Sequence, residues 1–562
     1  MKKINKHLKL FCLLLLVSML ITGCGNGGKT SESSDGTQTS GTAAGSASEP
    51  NANESGGNES GDEIVRLNVG MSSAPVNLNV WSNNDLNSAL LTSIAMPGLV
   101  KIDDKGTKVG VFGTTWESNE DATQFTVHLP EGLVWSDGEP FDSSDMKFTA
   151  EYLVEKEFGY NASMFTNVES IETPDATTII YNLSSPDVNF FNQAGFWVNP
   201  MPEQEFADVE DPMNHVFSGL GYGPFYIAEE SQGEYVLLKK NPHFTLTEVP
   251  VDEIVFRVYT DENTMVLALQ SGEIDVTANY ISVPSQTQLA TNPNIDLLST
   301  QSLGYGFCSF SQSNEILQDV NVRRALSMGF DRDAITQVAY QGGAIPMETP
   351  VSPVWQDFVA SDIKQPAFDI EAGAQLLEQA GYSDTDGDGI RENAAGDKLE
   401  FELMYKTGLA AADSVLEIVR SNLAKMGVAI KIVPTDASTF SAKVTQGHEY
   451  DISYSVWGVI DDVDTALHII YGIDQTLNFM EYNNQDMEDL LMKSRETVDY
   501  SERVKIIDEW QTLFVENMPT VNLFVATNTY AANNANFSGW SLFPGNHGVF
   551  DAENIVKITP AN

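Results

Sequence analysis

The densest grouping of metal-type ligands in this 562-residue chain is Asp384-Thr385-Asp386-Gly387-Asp388-Gly389-Ile390-Arg391-Glu392. Side-chain oxygens at loop positions 1, 3, 5 and 9, a main-chain carbonyl at Ile390 in position 7 and glycine at position 6 follow the calcium-loop rule. Position 12, where a bidentate glutamate would complete the shell, is Ala395. The stretch reads either as a structural Ca2+ site without its strongest ligand or as a solvated Asp/Gly-rich turn. A second grouping could carry acyl transfer. Ser144-Asp145-Met146-Lys147 is an SxxK, in which a lysine activates a serine nucleophile, and Lys406-Thr407-Gly408 is a KTG. The S-x-N or Y-x-N box that belongs between them is absent, and Asp142, Ser143 and Asp145 read well as a helix cap and first turn. A surface serine acyl enzyme using Ser144 and Lys147 is therefore the distant alternative. The seven histidines are scattered, with no HExxH and no His/Cys spacing suited to zinc, and there is no GxSxG, Walker A or GxGxxG.

One more chemical feature is covalent. Lys2, Lys3, Lys6 and Lys9 precede an apolar run, Leu10 to Ile21, that is short for a membrane span and fits a secretory signal peptide. The run ends in Ile21-Thr22-Gly23-Cys24, which resembles a bacterial lipobox, where the thiol of Cys24 would receive diacylglycerol. The expected division is a signal peptide over 1–23 and a lipidated cysteine with tether over 24–61. Residues 25–61 contain no Val, Ile, Leu, Met or aromatic side chain, so they cannot bury enough apolar surface to fold. Such a tether spans roughly 35 Å root-mean-square. With Cys12 in the leader and Cys24 acylated, Cys308 remains alone, which excludes a disulfide framework. Its setting between Tyr305 and Phe310 marks it as a small core residue.

The elements that must position these groups follow from composition and periodicity. Thirty Lys+Arg against 79 Asp+Glu give a net charge of −49, which disfavours nucleic acid and anionic lipid surfaces as partners. At 42% hydrophobic the chain can fold, and at this length it needs more than one core. Period-two alternation predicts strands at 124–129, 253–259 and 451–457. Helices are predicted at 370–380, stopped by Gly381, and at 414–426, stopped by Gly427 and leading into a strand at 428–433. That helix–glycine–strand unit is α/β grammar.

Several strings taken in order are similar to one family. They are Met96 to Val100, Phe125 to Phe141, Ser144 to Phe148, Gly221 to Tyr226 with Leu238 to Pro242, Gln270 to Val276, Val322 to Arg332, Phe368 to Arg391, and Tyr450 to Trp457 with the acids at 461–464. Together they resemble the family 5 extracellular solute-binding proteins, the oligopeptide- and dipeptide-binding lipoproteins of ABC importers. The resemblance implies an α/β, two-lobed periplasmic-binding-protein-like fold of the large type, with an extra subdomain and two crossover strands as a hinge. Lobe I is expected over 62–303, with the subdomain near 100–217, lobe II over 304–522, and a C-terminal segment 523–562 returning to lobe I. The crossings are expected near Ser299–Phe310 and Val521–Thr529.

The same resemblance implies a lipid-anchored, monomeric receptor on the extracytoplasmic face. It would capture oligopeptides and hand them to ABC permease subunits, without catalysis and without a required cofactor. An oligosaccharide or a metal complex on the same scaffold is the alternative. Peptide binders of the family carry Trp followed three residues later by an Asp for the peptide's α-amino group. Here Trp457 is followed by Asp461 at plus four, with Asp462 as fallback, and Asp462-Val463-Asp464 stands where Asp-Pro-Asp is usual. Pro130 replaces the usual Arg, and no clear arginine offers itself to a peptide carboxylate. Phe196, Trp197, Tyr305 and Trp457 are the aromatic candidates for the cleft, suited to peptide or sugar stacking.

Overall fold

The computed structural model describes residues 64–561 apart from 83–84, 159 and 545–547. The predicted signal peptide, Cys24 and the tether lie outside the described residues. The predicted periodic segments form as strands Gln124–His128, Glu253–Val258 and Ile452–Val456 and as helices Ile370–Gln379 and Ala412–Lys425. In Ala412–Lys425 the residues Val415, Leu416, Val419 and Leu423 make one buried stripe, as an amphipathic helix on a sheet requires. Gly427, at φ +79°, ends that helix in a left-handed turn, and the strand Ala429–Thr435 then pairs parallel to Glu400–Lys406. This is a βαβ unit.

One strand, Thr520–Asn533, joins two such layers. Its first part pairs antiparallel with Gly306–Phe310 (Ser309 opposite Thr520, Gly306 opposite Phe524). Its second part pairs with Ile295–Gln301 (Gln301 opposite Thr527, Ile295 opposite Asn533). The half-buried positions of this strand, Ala526 and Thr527, fall where the partner changes. The result is a 12-stranded sheet running through both lobes. On one side it continues through Ile452–Val456, Glu400–Lys406 and Ala429–Thr435. On the other it continues through Val276–Thr277, Arg66–Met71, Glu253–Val258, Tyr235–Lys240 and Phe225–Ser231.

A separate four-stranded antiparallel sheet, Thr115–Ser118, Gln124–His128, Thr178–Leu183 and Val168–Asp175, forms a subdomain on lobe I. Its helix Ser143–Glu155 begins with a reciprocal capping box between Asp142 and Asp145. Beyond Asn533 the chain returns to lobe I, where Phe537, Phe550 and Ile555 join the core around Leu67, Trp135 and Phe256. Lobe II has its own cores, one around Phe310, Leu416 and Leu423 and one around Tyr305, Trp510 and Phe514. Among the described residues, no helix is long and apolar enough to cross a membrane.

Candidate functional site

The segment after strand Ile452–Val456 lies against the turn that connects the lobes. The Trp457 amide donates to the Tyr305 carbonyl at 2.9 Å, extending the ladder between Ile452–Val456 and Gly306–Phe310 by one rung. Gly304 makes this approach feasible, because a Cβ there would lie 1.8 Å from the Trp457 carbonyl oxygen. The Trp457 ring stacks on Phe307, with centroids 5.5 Å apart and planes within 13°. Tyr305 lies deeper, 1% exposed, with its hydroxyl 3.3 Å from that of Tyr471. It carries Trp457 through its backbone while its ring packs in the lobe II core.

Asp461 and Asp462 are adjacent and do different things. Asp462 N-caps the helix Val463–Tyr471, accepting from the Thr465 amide at 3.0 Å and from Asn189 Nδ2 of lobe I at 3.0 Å. Asp461 is not used by the helix. It is 8% exposed, and its Oδ2 accepts no hydrogen bond. A cation from the other lobe faces it: Lys108 Nζ lies 3.6 Å from Asp461 Oδ2, over the Phe196 ring at 3.7 Å, and donates to the Asn192 carbonyl at 3.2 Å. Trp197 gives Asp461 a side-chain hydrogen bond. Burial pushes the Asp461 carboxyl up and the Lys108 ammonium down, and their mutual attraction opposes both shifts. Phe196 and Trp197 end the helix Phe190–Trp197 of the subdomain, so the aromatic residues of lobe I converge on the acid of lobe II.

Beside this pair a second polar contact crosses between the lobes. Arg503 Nη1 donates to Asn189 Oδ1 at 2.8 Å and lies 3.3 Å from Asp464, which also accepts from Ser494 at 2.6 Å. Arg495 pairs with Asp187 at 3.6 Å. Burial, then repulsion from Asp462, pushes the Asp464 carboxyl up to about 6 against the pull of Arg503. Lys108, Asn189, Arg495 and Arg503 were not singled out in the sequence. Their one sequence signal is indirect: a run of three acids at 461, 462 and 464 needs cations from elsewhere when it is buried.

The other candidate groups lie away from the cleft. Asp384, Asp386 and Asp388 bring their carboxylate oxygens within 4.8 Å of one another on the lobe II surface. Asp384 accepts from the Gly387 and Gly389 amides at 2.7 and 3.0 Å, and Glu392 turns instead to the Thr385 amide at 2.8 Å. The ammonium of Lys398 binds both Asp386, at 2.9 Å, and Asp388, so a cation of the chain itself stands at the cluster. Ser144 Oγ donates to Asp142 at 2.6 Å, whereas Lys147 Nζ reaches the Ile171 carbonyl at 3.1 Å and Glu151 at 2.9 Å. The lysine is directed away from the serine and Lys406 sits buried in the other lobe, so the SxxK is a capped helix start rather than an acylation centre.

Comparison with known proteins bears on the whole chain. The family model described as "Bacterial extracellular solute-binding proteins, family 5 Middle" matches residues 109–476. The oligopeptide-binding protein AppA of Bacillus subtilis is 24% identical over 560 residues, covering 97% of each chain. Its structure in complex with a nonapeptide superposes with a TM-score of 0.70 at 22% identity, over 89% of this chain and 100% of that one. The glutathione-binding protein GsiB of Escherichia coli is 23% identical over 491 residues, 85% of this chain and 92% of that protein. NikZ of Campylobacter jejuni in complex with Ni(L-His) superposes with a TM-score of 0.70 at 23% identity, over 88% of this chain and 99% of that one. With a family model that spans most of the chain and a two-lobed sheet shared along its length, this chain belongs to the bacterial extracellular solute-binding proteins of family 5.

Proposed function

We propose that this chain is a lipid-anchored receptor that captures oligopeptides between its two lobes and delivers them to an ABC permease. The observation that carries the reading is Asp461, a carboxylate buried at the meeting of the lobes and not used by any helix or strand. A receptor for peptides of varied sequence must anchor what all of them share, the backbone and the α-ammonium. Asp461 supplies the anion, while Trp457, Phe196 and Trp197 supply apolar walls that exclude water and strengthen the pairing. Asp462 is the weaker candidate, because its carboxylate already caps a helix. The nonapeptide bound by AppA and the glutathione-binding name of GsiB support a peptide-like ligand. The Ni(L-His) ligand of NikZ supports the alternative of a small metal complex.

The anchoring part of the proposal rests on the lipobox-like Ile21–Cys24 ahead of a tether without apolar residues. A structural calcium ion belongs to it as well, held by Asp384, Asp386 and Asp388, whose oxygens already converge. The ion would have to displace Lys398 and would find no side-chain ligand at Ala395. Native mass spectrometry of the full chain, purified without refolding, tests the function. Bound masses that fragment as peptides are the expected result. A sugar or a metal complex in their place would overturn the peptide reading.

A further inference from the structure

Lys108 is a feature of the cleft that the proposed function does not use, and it stands where that function needs space. Among the described residues, the strand Lys108–Gly110 pairs only with Val100–Ile102, at the side of lobe I that faces lobe II. A lysine at such a place can ordinarily extend into water. This one turns inward, leaving 8% of its side chain exposed. Two of its contacts, the Phe196 ring at 3.7 Å and the Asn192 carbonyl at 3.2 Å, belong to its own lobe and survive if the lobes part. The third, Asp461, belongs to the other lobe.

We propose that Lys108 is an internal stand-in for the ligand's cationic group, and that it sets which ligands close the cleft. This rests on reading Asp461 as the amine anchor. The geometry of the pair is that of a contact meant to exchange. At 3.6 Å it is longer than the roughly 2.8 Å of a charge-assisted hydrogen bond, and Asp461 Oδ2 accepts nothing else. A buried pair with such geometry recovers little of the hydration lost by its members. An ammonium carried by a ligand, free to approach to hydrogen-bond length, therefore competes well for Asp461.

Two consequences follow for specificity. A cationic ligand must displace Lys108, so its apparent affinity is reduced by the fraction of receptor in which Lys108 is away from Asp461. A ligand with a neutral head group can leave the pair in place and avoids burying a lone carboxylate. Lys108 thus narrows the preference for free amines that Asp461 alone would impose. Replacing it by methionine should widen that preference from both sides.

The test compares the full chain with K108M and K108R, all stripped of ligand by partial unfolding and dialysis. Small-angle scattering of the ligand-free proteins is the first readout. K108M should have a larger radius of gyration than the wild type, and K108R, which keeps the cation, should not. D461N, which removes the same pair from the other lobe, should expand like K108M and replaces it if K108M fails to fold. Equal radii in all four proteins would overturn the stand-in. The second readout is calorimetry with one alanine-rich nonapeptide, free and N-acetylated. The dissociation constant of the acetylated peptide divided by that of the free peptide should rise by about tenfold or more in K108M, and an unchanged ratio would overturn the specificity role. If K108M expands but acetylation matters in neither protein, the amine anchor fails while the contact between the lobes stands.

Discussion

Replacing Gly304 by alanine places a methyl carbon 1.8 Å from the Trp457 carbonyl oxygen, 2.5 Å from the Trp457 carbonyl carbon and 2.7 Å from the Gly458 oxygen. All three atoms are main chain, so no side-chain rotation relieves the clash. Ordinary contact begins near 3.4 Å, and one backbone must retreat by roughly 1.6 Å. That shift breaks the 2.9 Å bond from the Trp457 amide to Tyr305, a net loss of about 1 kcal/mol. Overpacking adds about 1–3 kcal/mol. The sum, about 2–4 kcal/mol, lowers the melting temperature of lobe II by roughly 5–15 °C. Because Trp457 and Asp461 sit on the displaced segment, peptide affinity should fall by at least about tenfold, a loss of about 1.4 kcal/mol. Differential scanning calorimetry and titration calorimetry read the two effects. A G304A protein that melts and binds like the wild type would refute the packing of the connecting turn against the Trp457 segment.

Three further outcomes are expected. The Asp464 carboxyl titrates near 6 when folded, against an ordinary 3.8, so its stabilising contribution is full below about 3.8 and is lost as pH rises through 6. Melting at pH 4.5 and 7.5 should therefore differ between wild type and D464N, with the variant losing part of the acid-side gain; identical pH profiles would dismiss Asp464 as the source. Millimolar calcium should raise the melting temperature, and more so in K398M, since an ion at a hundredfold excess over its dissociation constant contributes about 2.7 kcal/mol. Indifference of both proteins to calcium and to EDTA would retire the acidic loop as a metal site. Cys24→Ala should move the protein from the membrane fraction to the soluble one, and a variant that still partitions into detergent would count against lipidation.

The sequence displayed what is local. Helix Ala412–Lys425, its glycine stop and the strand after it are written in a 3.6-residue stripe, a residue without Cβ and a period-two run. Asp142 and Asp145 announce a cap that the structure forms reciprocally, and the same cap accounts for the SxxK at Ser144. The acids of the cleft were visible as a cluster, but their division of labour was not. Only the backbone direction at Asp462 decides that this residue caps a helix while its neighbour faces the other lobe. Lys108 was illegible for a plainer reason. It stands on a three-residue strand with no motif around it, and its significance comes from a contact with a residue distant in sequence. Lys398 and the acidic loop show the converse, a calcium-like spacing whose charge is met by a lysine outside the motif.

The central claim is that Asp461 holds the ammonium group of a captured peptide. It is tested most directly by titration calorimetry of one peptide, free and N-acetylated, against the wild type and D461N. Removing the carboxylate partner of a desolvated charge pair costs about 2–5 kcal/mol, so D461N should weaken binding of the free peptide by more than about tenfold. Acetylation should weaken binding to the wild type by less, because Lys108 stays paired with Asp461 and leaves no lone carboxylate. Since both changes delete the same contact, the two losses should not add in the acetylated peptide bound to D461N. If free and acetylated peptides bind the wild type alike, and D461N weakens neither, Asp461 does not anchor an amine.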